Sequence, residues 1–87
     1  MCTMIVEKIQ AEGSGKGREG WFELKETNVS YDHPFHAPFE HALNIDFVNE
    51  SMGPSARVAV ELSEQAAREL VKAILAVLDQ AEASGNL

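Results

Sequence analysis

The chain reads as an α+β fold, a four-stranded antiparallel sheet with one C-terminal amphipathic helix packed on one face, in a single domain over residues 1–87. Three observations predict it. Four stretches alternate apolar and polar residues between turn-forming clusters, which is the two-residue period of a strand. After Ser63 the apolar spacing lengthens to that of a helix. A length of 87 residues, 45% of them hydrophobic, supplies one small core and leaves no room for a second.

Thr3 to Ala11 is the first strand, rich in β-branched residues and closed by a glycine cluster. Ile5, Glu7, Ile9 and Ala11 share one face and Met4, Val6, Lys8 and Gln10 the other, so neither face is cleanly polar and both are expected to be covered. Gly13-Ser14-Gly15-Lys16-Gly17 superficially resembles the lysine end of a phosphate-binding loop. The match fails, because the motif needs a glycine where Gln10 stands, a Ser or Thr where Gly17 stands, and a following helix. These glycines instead predict a flexible hairpin connection using positive φ.

Trp21 to Tyr31 is the second strand. Its apolar parity changes from Phe22 and Leu24 to Val29 and Tyr31, which places a β-bulge or bend near Glu26-Thr27-Asn28. Leu43, Ile45 and Phe47 alternate with Asn44 and Asp46 in a third strand, and Val58, Val60 and Leu62 mark a fourth. The turn-rich segment from Asn49 to Ser55 joins these two as an antiparallel hairpin. Ser63 is the helix N-cap, Glu64 suits the positive end of the dipole, and Gly85 is the C-terminal stop. Ala67, Leu70, Val71, Ile74, Val77, Leu78 and Ala81 form the stripe that must cover a sheet face.

One helix, about 10 Å across, covers at most one face of four strands spaced about 4.8 Å apart. Trp21, Val6, Met4, Val48 and Ala59 are candidates for an apolar patch on the second face, and a patch of that kind marks a partner surface. A homo-oligomer, dimer or higher, is therefore expected.

Fourteen acidic residues against seven basic ones give a net charge of -7, and the basic residues are scattered. Nucleic acid and acidic membrane surfaces are thereby disfavoured as partners, since both need clustered Lys and Arg. Cys2, the only cysteine, allows no intrachain disulfide and no multi-cysteine zinc site, which points to the reducing cytoplasm. No apolar run is long enough to span a bilayer, and no leader pattern is present. Removal of Met1 would make Cys2 an N-terminal thiol, although lone cysteines ordinarily serve as buried small hydrophobes.

Tyr31-Asp32-His33-Pro34-Phe35-His36-Ala37-Pro38-Phe39-Glu40-His41 gathers all three histidines between two strands. Pro34 and Pro38 remove two backbone donors and push His33 and Ala37 toward extended conformations, which predicts an ordered irregular loop. Asp32, His33, His36, Glu40, His41 and the nearby Asp46 are the groups such a loop could aim. Neutral imidazoles suit a divalent transition metal, Zn, Ni, Fe or Cu, and a carboxylate could complete or orient the set. The spacing matches no zincin helix, because His36 and His41 are five apart and Pro38 lies between them.

The loop could thus hold a metal or small ligand. It could instead serve a small enzyme, with a histidine oriented by Asp32 or Asp46 as general base or with metal-assisted chemistry. In the plain structural reading, the histidines bond loop carbonyls or sit at a subunit boundary, and Phe35 and Phe39 plug the loop into the core.

Met1-Cys2-Thr3-Met4-Ile5-Val6-Glu7-Lys8-Ile9, Gly13 to Gly17 leading into Gly20-Trp21-Phe22, and the histidine segment followed by Glu40-His41-Ala42-Leu43-Asn44-Ile45-Asp46-Phe47 resemble a family of short bacterial proteins of unknown function. The resemblance covers nearly the whole chain. It implies a bacterial, stand-alone protein and supplies no activity.

Overall fold

A computed structural model describes residues 5–87. The elements are β1 (Ile5–Gly17), β2 (Gly20–Asp32), β3 (Ala42–Val48), a short 3-10 turn (Glu50–Met52), β4 (Arg57–Leu62) and α1 (Glu64–Ala83). The four strands form one antiparallel sheet in the order β1-β2-β3-β4, with α1 packed against it, as the alternation and the period change predict. Thr3, Met4 and Cys2 lie outside the described residues, and with them the start of the first predicted strand.

Cross-strand register divides the sheet into two unlike faces. Ile5 pairs with Tyr31, Ile9 with Thr27, Val29 with Ile45, Leu43 with Leu62 and Phe47 with Val58, so these residues share the side that α1 covers. Lys8, Gln10, Glu26, Asn28, Ser30, Asn44, Asp46, Arg57 and Glu61 share the other. Ion pairs Lys8–Glu26 at 3.5 Å and Arg57–Asp46 at 2.7 Å cross it.

The second face is therefore largely polar. Val6, Val48 and Ala59 are interspersed among charges there, and Trp21 stands exposed near the tip of the first hairpin, opposite Lys16. The apolar surface left open lies on the helix side instead.

The glycine-rich segment is strand rather than loop. β1 runs through to Gly17, the turn is Arg18-Glu19, and the left-handed backbone falls at Gly20, φ 111°. Gly15 and Gly17 serve close approach. A Cβ at Gly15 would lie 3.1 Å from Leu24 Cδ2 and 3.5 Å from Val58 Cγ2, and one at Gly17 would lie 3.0 Å from Phe22 and 3.1 Å from the Ser55 carbonyl. The distal half of the hairpin thus folds over toward β4.

The bend that allows this is a bulge, but on β1. Ala11 and Glu12 together oppose Lys25, between the pairs Gln10–Glu26 and Gly13–Leu24. An extra residue in the partner strand bends and twists the whole ribbon. The parity change in β2 is met by the bend, without an insertion in β2 itself.

Asn49 fastens the β3–β4 connection. Its side chain is buried and donates to the Glu23 carbonyl at 2.8 Å, while its Oδ1 accepts from Ser51 Oγ at 2.6 Å. The helix begins and ends as its sequence predicts. Ser63 Oγ accepts from the Ala66 N–H, and Gly85 at φ 80° lets the Asn86 N–H reach the Ala81 carbonyl at 2.8 Å.

Among the described residues the only buried apolar side chains are Phe22, Ala42 and Ala56. Helix α1 buries none, with Leu75 55% and Val77 64% exposed. On the same side of the sheet Ile5 and Ile9 of edge strand β1 are 60% and 53% exposed.

Candidate functional site

The histidine loop, residues 33–41, straddles the end of the sheet between β2 and β3. On the helix side three rings stack. His41 lies on Tyr31 with centroids 5.7 Å apart and planes 15° apart, and His33 lies on His41 at 4.8 Å and 23°. His33 Nδ1 is 2.8 Å from the Glu40 carbonyl oxygen, and the His33 N–H donates to Asp32 Oδ1 at 2.7 Å. Asp32 caps the loop entry, and Glu40 contributes its main chain.

On the opposite face the loop tip is held by a residue that motif reasoning missed. The Glu61 carboxylate, projecting from β4, accepts from the backbone N–H groups of Phe35, His36 at 3.0 Å and Ala37 at 2.7 Å. Pro34 and Pro38 flank this run and have no N–H to give. Every amide hydrogen between the two prolines therefore goes to one side chain.

This arrangement acts on the carboxyl. The N–H of Ala37 above all, then those of Phe35 and His36 and the His36 charge, hold the Glu61 carboxyl below the ordinary glutamate value, while desolvation opposes them. A sequence signal was available, since three loop amides bracketed by prolines need an acceptor. Nothing in a linear reading points across 24 positions to Glu61, which looks there like an ordinary outward-facing strand residue.

The sequence-predicted residues are thus divided. His33, His41 and the Glu40 main chain meet in the stack, and Asp32 adjoins them. His36 sits on the other face beside Glu61, next to Phe35, whose ring is fully exposed and plugs into no core. Asp46 belongs to the outer face, where Arg57 Nε donates to it at 2.9 Å. Near-parallel imidazoles direct their in-plane lone pairs side by side rather than toward one point. Among the described residues no three His, Cys, Asp or Glu side chains are grouped to hold a metal ion.

A second concavity lies beside the stack. Val29, Tyr31, Leu43, Ile45 and Leu62 of the sheet and Ala67, Leu70, Val71 and Ile74 of α1 line an open, mainly apolar cavity of about 610 Å³. Tyr31 belongs to both features.

The molecule is an open α+β sandwich of one sheet and one helix, carrying a proline-bracketed loop at the sheet end. It belongs to a family of unknown function, DUF6295, whose model matches residues 1–87. No curated protein and no solved structure matches the chain. Among the described residues no helix is long and apolar enough to cross a membrane.

Proposed function

We propose that this chain is the subunit of a homo-oligomeric binding protein, in which assembly completes the core and the proline-bracketed loop is the contact element. The supporting observation is surface. The chain exposes 6874 Å², whereas a folded monomer of its 9.5 kDa is expected to expose roughly 5,000 Å². The excess, roughly 1,800 Å², is about twice what each partner buries in an interface of standard size. Its radius of gyration of 14.7 Å likewise exceeds the roughly 12 Å expected of a compact chain of this length.

Sedimentation velocity at micromolar concentration tests the reading. A dimer or higher species is expected, and a stable monomer overturns it.

The loop supports the second half of the proposal because its tip is fixed before any ligand arrives. Preorganisation lowers the entropic cost of binding, and a fully exposed Phe35 on a fixed tip has the character of an interface anchor. A divalent transition metal bound here would draw its donors from more than one copy, since one copy groups no three ligands among the described residues. Metal analysis of untagged protein, with thermal melts in zinc and nickel, checks that point. Stoichiometric metal and a raised melting temperature support a shared site; neither appearing removes the metal and leaves the assembly.

A further inference from the structure

Two apolar surfaces of this chain are open, one on the sheet and one on the helix. The first is the β1–β2 half of the helix-side sheet face. Helix α1 packs on β3 and β4, leaving Ile5 and Ile9 uncovered on the edge strand. The axes of the outer strands of a four-stranded sheet lie about 14 Å apart, and the axes of two helices packed side by side lie about 8–10 Å apart, so a second helix has room beside the first.

The second surface is the C-terminal half of α1 itself. The cavity beneath the helix is lined only as far as Ile74. Beyond it Val77 and Leu78 continue the stripe, and Ala73-Ile74-Leu75-Ala76-Val77-Leu78 is an unbroken apolar run that wraps the whole circumference. A helix segment apolar all round is one that is covered all round. Its own sheet covers one side at most.

Resting on the oligomeric reading, the geometry points to a specific seat: the C-terminal half of α1 from a second copy lies on the Ile5–Ile9 half of this chain's sheet, beside this chain's own helix. A two-fold axis makes the exchange reciprocal, so both open surfaces of both copies are satisfied by one operation. Each sheet then carries two helices, one from each chain. Glu7, between Ile5 and Ile9 and paired with Val29, shares that face, so the incoming helix must leave its carboxylate a path to water at the open edge of β1.

The test uses disulfide trapping between two differently sized versions of the full chain, both carrying Cys2→Ser. One version receives Ile5→Cys or Ile9→Cys and the other Leu75→Cys or Leu78→Cys. They are co-refolded and oxidised mildly, with circular dichroism confirming that each variant folds. A covalent heterodimer from at least one of the four pairings, absent when either version is oxidised alone, is the expected result.

Trapping of the helix variants only with themselves would mean helix-on-helix packing, and trapping of the β1 variants only with themselves would mean edge pairing. Either overturns the seat while the oligomer stands, as does an intact oligomer that traps in no pairing. A monomer by sedimentation overturns both.

Discussion

Glu61 holds the loop tip through its charge, and this makes the loop acid-sensitive in a defined direction. Its carboxyl titrates below the ordinary value of 4.5 because three amides bond the ionised form. A folded value below the unfolded one stabilises the folded loop at pH above the ordinary glutamate range, and that contribution is lost as pH falls through the folded value. Hydrogen exchange should therefore find the amides of Phe35, His36 and Ala37 protected near neutrality and unprotected below the ordinary glutamate range. Glu61→Gln should remove much of that protection at neutral pH. Asn49 is the other residue with several obligations, binding the Glu23 carbonyl and Ser51 from a buried position. Asn49→Ala should cost about 1–3 kcal/mol in chemical denaturation, because it leaves a β2 carbonyl without its donor.

At the scale of elements, the β1–β2 hairpin is set by what its glycines lack. Gly17→Ala would press a methyl group to 3.1 Å from the Ser55 carbonyl, a main-chain atom that cannot turn aside. A loss of about 1–3 kcal/mol in denaturant melts is expected, as for other overpacked sites. The same hairpin marks where linear reading succeeded and where it failed. Alternation located all four strands, and Ser63 and Gly85 located the helix ends, because those signals are local. The glycine run was ambiguous, since glycine serves positive φ and close approach alike, and the neighbour that decides between them, Val58, lies 43 positions beyond Gly15. The parity change in β2 predicts a β-bulge or a bend near Glu26-Thr27-Asn28; the ribbon bends beside Glu26, and the extra residue that bends it sits on β1, which only the register reveals. The loop was legible as rigid and histidine-bearing, but the distribution of its side chains over two faces depends on Glu61, which no local pattern connects to it.

For the whole molecule, the balance between covered and uncovered apolar surface decides behaviour. Leu78→Asp places a charge in the all-round apolar run, and complete burial of such a leucine is worth about 1.5–3 kcal/mol. The variant should sediment as a smaller species and melt at lower temperature than the parent, whereas Asp79→Ala, one position on, should leave both readings close to the parent's. Away from the loop tip, the polar outer face crossed by its ion pairs is expected to stay wet in either case.

The scarcity of interior side chains in a single copy, with Phe22, Ala42 and Ala56 the only buried apolar ones among the described residues, bears on how the native state is reached. Local pairing of β1 with β2 and of β3 with β4 can proceed at any dilution, whereas in the proposed assembly the final gain in order would wait for an encounter. Refolding followed by tryptophan fluorescence should accordingly contain a slow second-order phase whose rate rises in proportion to protein concentration, and dilution alone should lower the midpoint of thermal unfolding.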